Sequence, residues 1–304
     1  MRLIHLTDPH LSSLRAERFI SLRGKRWSGY LSWRKNRSRK YLPSVLNHMV
    51  DAIGKEGADE ILLTGDLIQI GLDQEIEQAS DWLEALGSPK QVMLVPGNHD
   101  IYARGSADAV HAAWRDYLFS GQQTGSDGGS DEFPVLRKRG KLSFIGLSSA
   151  CVTPVFMATG KLGNTQLDKL TGLLKQAADE DQLVCLLIHH PPLPGMTSWR
   201  KALTDAKALQ KVLSDHPPAL ILHGHLHHNR ELQWSASHIY CTCAASSASD
   251  ASYRVFDIDE NDESWNFQMT LKSISMNSGE EPEVVVVDQQ CWEVPKTLKP
   301  KKSD

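Results

Sequence analysis

The chain has 304 residues, of which 40% are hydrophobic and 23% are charged, and its formal net charge is −4. It holds ample material for a core, but no run reaches the ~18 apolar residues that a membrane-spanning helix needs. The N-terminus lacks the charged and apolar regions of a signal peptide, and five cysteines, an odd number, argue against a disulfide framework. We therefore expect a cytoplasmic protein.

The first three quarters of the chain alternate between predicted strands and predicted helices. Short apolar runs bounded by Gly or Pro predict buried strands, and apolar residues at helical spacing predict helices. The predicted strands are 2–6, 60–64, 91–95, 142–147, 183–188 and 219–222, and the predicted helices are 43–55, 73–86, 106–119, 164–177 and 204–214.

From residue 231 onward the pattern changes to short strands without helices. Alternating elements that give way to a run of strands predict an α/β fold with two packed mixed β-sheets flanked by helices, a four-layer αββα sandwich. We expect one domain over 1–292, with a flexible Gly- and Ser-rich loop at 120–131 and a disordered tail at 293–304. The candidate C-terminal strands are 231–234, 238–243, 253–257, 264–272 and 283–287.

Five short clusters rich in Asp, Asn and His follow predicted strands directly. Because ligands bind beyond the carboxyl ends of strands in open α/β sheets, we expect these clusters to converge at one place. Such side chains supply oxygen and nitrogen ligands without thiolates, which suits Mn, Fe, Co or Zn, and they are too many for one ion. The clusters are Asp8-Pro9-His10, Gly65-Asp66, Gly97-Asn98-His99-Asp100, His189-His190-Pro191-Pro192 and Gly224-His225-Leu226-His227.

In this order the clusters resemble the signature of the calcineurin-like metallophosphoesterases, over residues 8–227. The resemblance implies two divalent or mixed-valence transition-metal ions (Mn, Fe, Zn or Co), with Asp66 as the ligand that both ions share. It implies that Asp8, His10 and His227 complete the set at one ion. It implies that Asn98, His189 and His225 complete the set at the other.

Two details of this ligand set need an argument. The family pattern has a ligand His, one variable residue and then Pro, so His189 is the expected ligand and His190 the variable position. His225 and His227 are two residues apart, and an extended backbone would point both side chains the same way.

The resemblance gives a catalytic role to His99, which faces the leaving group in this family. An imidazole there can act as general acid or stabilise charge. Asp100 is expected to orient the His99 ring and to fix its tautomer. The alternative is that His99 only supports a loop.

A basic and aromatic segment, residues 15–41, follows the first cluster and is expected near the mouth of the site. Its ten cations face one acid, so it carries +9 and leaves −13 for the rest of the chain. Three interpretations stay open: a solvated lid, a segment that binds anionic membrane surfaces, and a patch that steers phosphate-bearing substrates. Nucleic acid is a less attractive partner, because the remainder of the chain is acidic.

The resemblance implies a dinuclear metal-dependent phosphodiesterase, most similar to the bacterial cyclic-nucleotide phosphodiesterases of class III. Its expected substrate is a cyclic nucleotide or a similar phosphodiester. The alternative enzyme is a pyrophosphatase acting on a nucleotide-linked lipid such as UDP-diacylglucosamine, which the basic aromatic segment favours. A third hypothesis, from a different class, is a non-catalytic scaffold, although such relatives usually lack the metal ligands that this chain retains.

Overall fold

The computed structural model describes residues 1–11, 14, 22–120, 132–275 and 282–296. The part of the predicted loop from residue 121 and the part of the predicted tail from residue 297 lie outside these ranges. The strands are β1 (Arg2–Leu6), β2 (Glu60–Leu63), β3 (Val92–Leu94), β4 (Val135–Arg139), β5 (Leu142–Gly146), β6 (Leu183–Leu187), β7 (Leu220–His223), β8 (Arg230–Trp234), β9 (Ser237–Cys241), β10 (Ser252–Glu260), β11 (Ser264–Ser275) and β12 (Glu283–Pro295).

Helices connect many of these strands. Pro43 occupies the first turn of the second helix, where its missing N–H leaves no hydrogen bond unmade. The Glu75 carboxylate accepts the backbone N–H of Leu72 at 3.0 Å and so caps the start of the third helix. The helices are α1 (Lys25–Ser32), continued by a π-helical turn (Trp33–Arg37), then α2 (Pro43–Lys55), α3 (Asp73–Leu86), α4 (Ser106–Ala113), α5 (Arg115–Leu118), α6 (Asn164–Asp179) and α7 (Ala206–Asp215).

Two six-stranded mixed sheets result. The first has the order β12-β11-β10-β1-β2-β3, in which β1, β2 and β3 run parallel and the C-terminal strands run antiparallel. The second has the order β4-β5-β6-β7-β9-β8, in which β5, β6, β7 and β9 run parallel. The C-terminal run of strands is therefore divided between both sheets, and β10 pairs directly with β1.

The alternating faces of the second sheet define the layers. Phe144 and Leu187 belong to the large core that includes the first sheet, whereas Ile145 and Leu186 pack in a second core with Leu170 of α6 and other helical residues. This alternation follows from the two-residue period of a strand. The predicted four-layer αββα sandwich is confirmed.

Most predicted elements occur within a few residues of their predicted bounds, but four details differ. The helix predicted over 106–119 is divided into α4 and α5 at Trp114. Neither α1 nor β4 was predicted, since both are rich in Lys and Arg. β12 continues to Pro295, three residues into the segment predicted as a tail. None of the helices in the described ranges has the length and apolar character required to cross a bilayer.

A buried ion pair connects the two sheets away from the strand ends that carry the polar clusters. Nη1 of Arg137, on β4, donates to Oε2 of Glu60, at the start of β2, over 2.7 Å. Nη2 of Arg137 also donates to the carbonyl of Val92 at 2.9 Å. Both charged side chains are almost fully buried, and Arg139 pairs with the other carboxylate oxygen of Glu60, so the buried charges are compensated within this cluster.

Candidate metal centre

The structure brings all five polar clusters together. Each follows the carboxyl end of one of the parallel strands β1, β2, β3, β6 and β7, so the two sheets deliver their loops to the same edge of the sandwich. The side chains form two buried groups that share one carboxylate, and the ligand atoms of each group lie within 4.8 Å of one another. The groups are Asp8, His10, Asp66 and His227, and Asp66, His189 and His225.

The first group contains a buried carboxylate oxygen that accepts no hydrogen bond. Asp8 Oδ1 lies 2.9 Å from His227 Nε2 and 3.8 Å from His10 Nε2, but no N–H or O–H points at it. The two imidazole Nε2 atoms are themselves 3.2 Å apart. An unmatched buried carboxylate is costly, and lone pairs that converge on one point fit a cation.

In the second group, too, side-chain oxygen and nitrogen atoms with lone pairs converge on one point. Oδ2 of Asp66 lies 3.4 Å from His189 Nε2. Oδ1 of Asn98, an amide oxygen, lies 3.3 Å from the same nitrogen. Nε2 of His225 is buried and has no hydrogen-bond partner. Because Oδ2 of Asp66 is also 4.0 Å from His10 Nε2, this carboxylate lies between the two groups.

Hydrogen bonds to the opposite ring nitrogens orient three of these histidines. Nδ1 of His10 lies 3.2 Å from the carbonyl of Ile68, and Nδ1 of His189 lies 2.7 Å from the carbonyl of Thr64. A carbonyl can only accept, so each Nδ1 carries the proton and each Nε2 presents a lone pair to the centre. Nδ1 of His227 contacts the Tyr41 hydroxyl at 2.5 Å, which orients its ring.

His190 lies beside this centre but faces away from it. Its Nδ1 is 2.8 Å from Oγ of Ser149, and its Nε2 is 3.2 Å from the carbonyl of Ala158. Both ring nitrogens are thus engaged with protein groups, whereas His189 faces Asp66.

The backbone at the centre is unusual, because five of the seven candidate ligands have a positive φ angle. Only a few per cent of residues other than glycine adopt this left-handed conformation, and it concentrates at functional sites. The expected extended backbone between His225 and His227 is therefore wrong: both are left-handed, and the two rings join different groups. The φ angles are 51° at Asp8, 44° at His10, 58° at Asp66, 72° at His225 and 57° at His227.

Glycine is required where the loops touch. A Cβ atom at Gly97 would overlap Oδ1 of Asp66, and a Cβ atom at Gly224 would overlap Oγ1 of Thr7. These positions let the loops after β3 and β7 approach the carboxylates closely.

The predicted role of Asp100 in orienting His99 is wrong. The Asp100 carboxylate accepts backbone N–H groups from two loops instead, including those of Asp66 and Gly97 at 2.8 Å and that of Leu67 at 2.8 Å. It therefore holds the turn that carries Asp66 against the turn that carries Asn98. Burial and the neighbouring Asp66 raise the pKa of Asp100 to about 7, against the effect of these donors.

His99 is held by a carbonyl and by an arginine. Its Nδ1 donates to the backbone oxygen of Gln69, and its Nε2 accepts from Nη1 of Arg37 at 2.9 Å. Its own backbone N–H donates to Oδ1 of Asp66 at 2.7 Å, which places the ring beside the first group. Burial, and then the Arg37 charge, lower the pKa of His99 to about 4, so the ring is neutral.

Sequence reasoning did not single out Arg37 and Tyr41 as site residues. Both belong to the basic segment, of which residues 15–21 lie outside the described ranges; its described part, 22–41, packs onto the site through a small core that includes Trp33, Ile70 and Tyr102. The sequence showed that this segment is basic and aromatic. It did not show which cations face the centre, because the π-helical turn that directs Arg37 inward has no recognisable pattern.

The centre is electrostatically prepared for cations. Burial opposes ionisation of Asp66, but the charge of the neighbouring His189 holds the pKa of this carboxyl well below its usual range. Burial also opposes ionisation of His189, yet Asp66 raises the pKa of His189 to about 9, so a bound ion would take the place of that proton. Burial, and then the charge of His227, lower the pKa of His10, so its ring is a neutral ligand. Ionised carboxylates and neutral imidazoles are the forms that bind transition metals. The residues present therefore fit a two-metal site.

Comparisons with known proteins agree with this arrangement. Residues 1–229 match the family model of the calcineurin-like phosphoesterases. The chain is 26% identical over 247 residues to 3',5'-cyclic adenosine monophosphate phosphodiesterase CpdA of Escherichia coli, covering 80% of this chain and 75% of that protein. It is 28% identical over 195 residues to glycerophosphodiester phosphodiesterase GpdQ of Enterobacter lignolyticus, covering 64% of this chain and 58% of that protein.

Solved structures share the fold. A dimetal phosphatase from Danio rerio superposes with a TM-score of 0.65 at 13% identity, covering 98% of this chain and 99% of that one. The purple acid phosphatase PPD1 from yellow lupin gives a TM-score of 0.60 at 12% identity, covering 96% of this chain and 53% of that one. Since the family model covers three quarters of the sequence, the chain belongs to the calcineurin-like phosphoesterases.

Proposed function

We propose that this protein is a dinuclear metal-dependent phosphodiesterase that hydrolyses a cyclic nucleotide or a similar phosphodiester. The position of Asp66 carries the proposal: one buried carboxylate lies between two groups of ligand atoms, each of a size suited to a single ion. A carboxylate has two oxygens and can bridge such a pair.

We assign Asp8, His10 and His227 to one ion and Asn98, His189 and His225 to the other, with Asp66 shared. The donor set of oxygen and imidazole nitrogen suits Mn, Fe, Zn or Co. When bound, two such ions supply Lewis-acid stabilisation of the phosphate charge and an activated water. The chain itself contributes fixed Nε2 lone pairs, through the carbonyls that hold the Nδ1 protons of His10 and His189.

His99 and Arg37 supply the polar groups beside the ions. With Nδ1 donating to Gln69, a neutral His99 has no proton at Nε2 and accepts from the Arg37 guanidinium instead. We therefore propose that Arg37 stabilises charge on the phosphate or on the leaving oxygen, and that His99 positions it. The general-acid role for His99 remains the competing proposal, and the two differ in their dependence on the leaving group.

The relatives support a phosphodiester substrate. Both CpdA and GpdQ are named for phosphodiester substrates, a cyclic nucleotide in one case and a glycerophosphodiester in the other. The five cysteines are all unpaired within the described residues. This is what a reducing compartment such as the cytoplasm would give.

A second candidate is hydrolysis of a diphosphate bond in a nucleotide-linked lipid. Arg37 favours it, because a guanidinium beside the ions could bind the second phosphate of such a substrate. The exposed apolar residues around the site favour it as well, since an acylated substrate needs an apolar approach.

A substrate panel on Mn-loaded protein distinguishes these functions. The panel contains bis(p-nitrophenyl) phosphate, p-nitrophenyl phosphate, cyclic AMP, glycerophosphocholine and UDP-diacylglucosamine. The proposal predicts turnover of the diesters well above that of the monoester, with loss of activity in Asp66→Asn. Preferred cleavage of UDP-diacylglucosamine would favour the diphosphate function, and no turnover of any substrate by metal-loaded protein would favour the scaffold.

A further inference from the structure

Three segments form one continuous surface around the mouth of the metal centre. We call it the rim surface; it consists of residues 23–40, the loop 152–158 and the loop 196–201. Nζ of Lys25 donates to Oγ1 of Thr153 at 2.7 Å, which joins the first segment to the second. The backbone N–H of Ala158 donates to the carbonyl of Arg200 at 2.9 Å, which joins the second to the third.

The rim surface also contacts the centre at two points. Lys25 lies 4.3 Å above the ring of Tyr102, and Tyr102 stacks on His99 with ring centroids 5.6 Å apart. At the other side, the carbonyl of Ala158 lies 3.2 Å from Nε2 of His190, whose ring is 4.5 Å from that of His225. The surface therefore frames the centre from both ends.

Large apolar side chains on this surface point into solvent. Phe156 is 85% exposed, Trp199 is 70% exposed and Trp27 is 44% exposed. Large exposed apolar side chains that are grouped on joined segments mark interaction sites on proteins. Three aliphatic side chains on the same segments, Leu31, Val152 and Val155, are also exposed.

The backbone at Phe156 is shaped for this exposure. Its φ angle is 64°, a conformation that a bulky residue adopts only when its surroundings impose it. A tight turn imposes it: Oγ1 of Thr153 donates to the carbonyl of Met157 at 2.6 Å, and the N–H of Met157 donates to the carbonyl of Pro154 at 3.2 Å. A strained backbone that exposes a phenyl ring is a feature expected at a binding site.

The charge around these rings is strongly positive. Residues 22–41 contain eight cations and no acid, and Arg200 and Lys201 extend the positive charge to the third segment. The neighbouring acid, Asp205, accepts the N–H groups of Leu162 and Gly163. Five of these eight cations are exposed: Arg23, Arg34, Lys35, Arg39 and Lys40.

We propose that the rim surface docks onto an anionic lipid bilayer and holds the mouth of the metal centre against it. Aromatic rings suit the headgroup region, aliphatic side chains suit the acyl boundary, and cations pair with anionic headgroups. The acidic remainder of the chain is repelled by the same membrane, which orients the protein. A nucleic acid fits less well, because exposed valine and leucine side chains do not stack on bases. The inference goes beyond the proposed function, because it does not depend on hydrolysis.

Vesicle flotation tests the proposal directly. Wild-type protein is mixed with phosphatidylcholine vesicles or with vesicles that contain about one third phosphatidylglycerol. We expect binding to the anionic vesicles and little to the neutral ones, with loss of binding as added salt screens the charges. Failure to bind anionic vesicles, or equal binding to both kinds, would overturn the proposal.

Two sets of variants separate the apolar and charged contributions. Phe156→Asn with Trp199→Ser removes the rings, and Asn tolerates the left-handed backbone. Arg34→Gln, Lys35→Gln, Arg39→Gln and Lys40→Gln together remove four charges without touching Arg37. Each set should lower the bound fraction about tenfold or more.

Matched controls change the same chemistry elsewhere. Val286→Ser with Val287→Ser removes apolar groups that are each 56% exposed on β12. Lys55, Lys90, Lys175 and Lys211 are exposed cations before the amino ends of strands, and their replacement by Gln removes four charges far from the rim surface. The controls should bind like wild type, and circular dichroism should show all variants folded. Equal losses in the controls, or tighter binding to single-stranded RNA that competes with vesicles, would also overturn the proposal.

Discussion

The guanidinium of Arg37 lies 2.9 Å from Nε2 of His99, at the edge of the two candidate metal-ligand groups. The contact joins a residue of the loop after β3 to a residue of the basic segment, 62 positions earlier in the chain. In this hydrogen bond the Nε2 lone pair of His99 accepts from Arg37, and the guanidinium is directed toward the candidate metal centre. The two side chains therefore form a unit, and their contributions to catalysis are expected to be coupled.

Replacing His99 tests what this unit does. His99→Ala should keep both metals and lower turnover by about 10²–10³, the usual cost of losing one group that stabilises charge in the transition state, because Arg37 loses the partner that positions it. Because the pKa of His99 is lowered to about 4, its ring is neutral above about pH 5. We therefore expect the loss to be similar for good and poor leaving groups. A much smaller loss with p-nitrophenolate than with an alkoxide leaving group would show that His99 acts as general acid.

Replacing Arg37 tests the other half of the unit. Arg37→Gln should lower kcat/KM by a similar factor, and Arg37→Lys should recover part of it, because a single ammonium replaces a forked donor. The double variant with His99→Ala should be little worse than either single variant, since coupled residues are not additive. Arg23→Gln, an exposed cation of the same segment, is the control. Additive losses would show that the two residues act independently.

Asp66 should be indispensable for both ions. Asp66→Asn keeps the shape but removes the charge of the shared carboxylate, so it should abolish activity and reduce the bound metal measured by elemental analysis. Asp257→Asn makes the same change at a surface pair with Arg2 and should leave the metal content unchanged. Two tightly bound ions and full activity in Asp66→Asn would remove Asp66 from the bridging position.

Tyr41 should strengthen the binding of one metal ion, because it holds the candidate ligand His227. Its hydroxyl lies 2.5 Å from Nδ1 of His227, and burial raises the pKa of Tyr41, so the hydroxyl stays neutral. Tyr41→Phe removes this partner and should weaken metal binding about 10- to 100-fold, the usual cost of losing a group that holds a ligand histidine. The effect is measured by metal titration of apoprotein. Tyr117→Phe deletes a hydroxyl bonded to Gly87 and is the control.

The ion pair between Glu60 and Arg137 should matter for stability and not for chemistry. Glu60→Ala leaves the Arg137 guanidinium buried without its carboxylate, and we expect about 3–5 kcal/mol less stability toward unfolding in urea. Replacing both residues, with Arg137→Met added, should recover part of this loss. Turnover per folded molecule should not change, because the pair lies at the amino end of β2 and Asp66 follows its carboxyl end.

The meeting of the five polar clusters could be predicted from the sequence for a physical reason. The carboxyl ends of parallel strands lie at a common edge of the sheet. Once the strands are recognised, the clusters that follow β1, β2, β3, β6 and β7 are therefore expected to lie close together. The family pattern also separated His189 from His190, and the structure gives them the different orientations that the pattern implies.

The remaining features could not be read from local patterns. Asp100 follows His99 in sequence, yet its carboxylate serves backbone N–H groups of the loop after β2, a contact that depends on how two turns pack. Arg37 was one of ten similar cations in the sequence, and it is the π-helical turn that directs its side chain toward the centre. The left-handed backbone at Asp66 could not be read from the sequence either, although Asp is one of the residue types that adopt this conformation more readily.

Because the chain is synthesised from its N-terminus, the metal centre can be completed only late in synthesis. Asp8 is among the first residues to leave the ribosome. Its Oδ2 accepts the backbone N–H of His225, which is synthesised 217 positions later. His10 and His227 are separated by the same distance along the chain. Contacts of such long range form slowly, after both sheets have assembled. Metal uptake is therefore expected to mark completion of the whole fold, and a nascent or truncated chain that ends before His225 has no centre to fill.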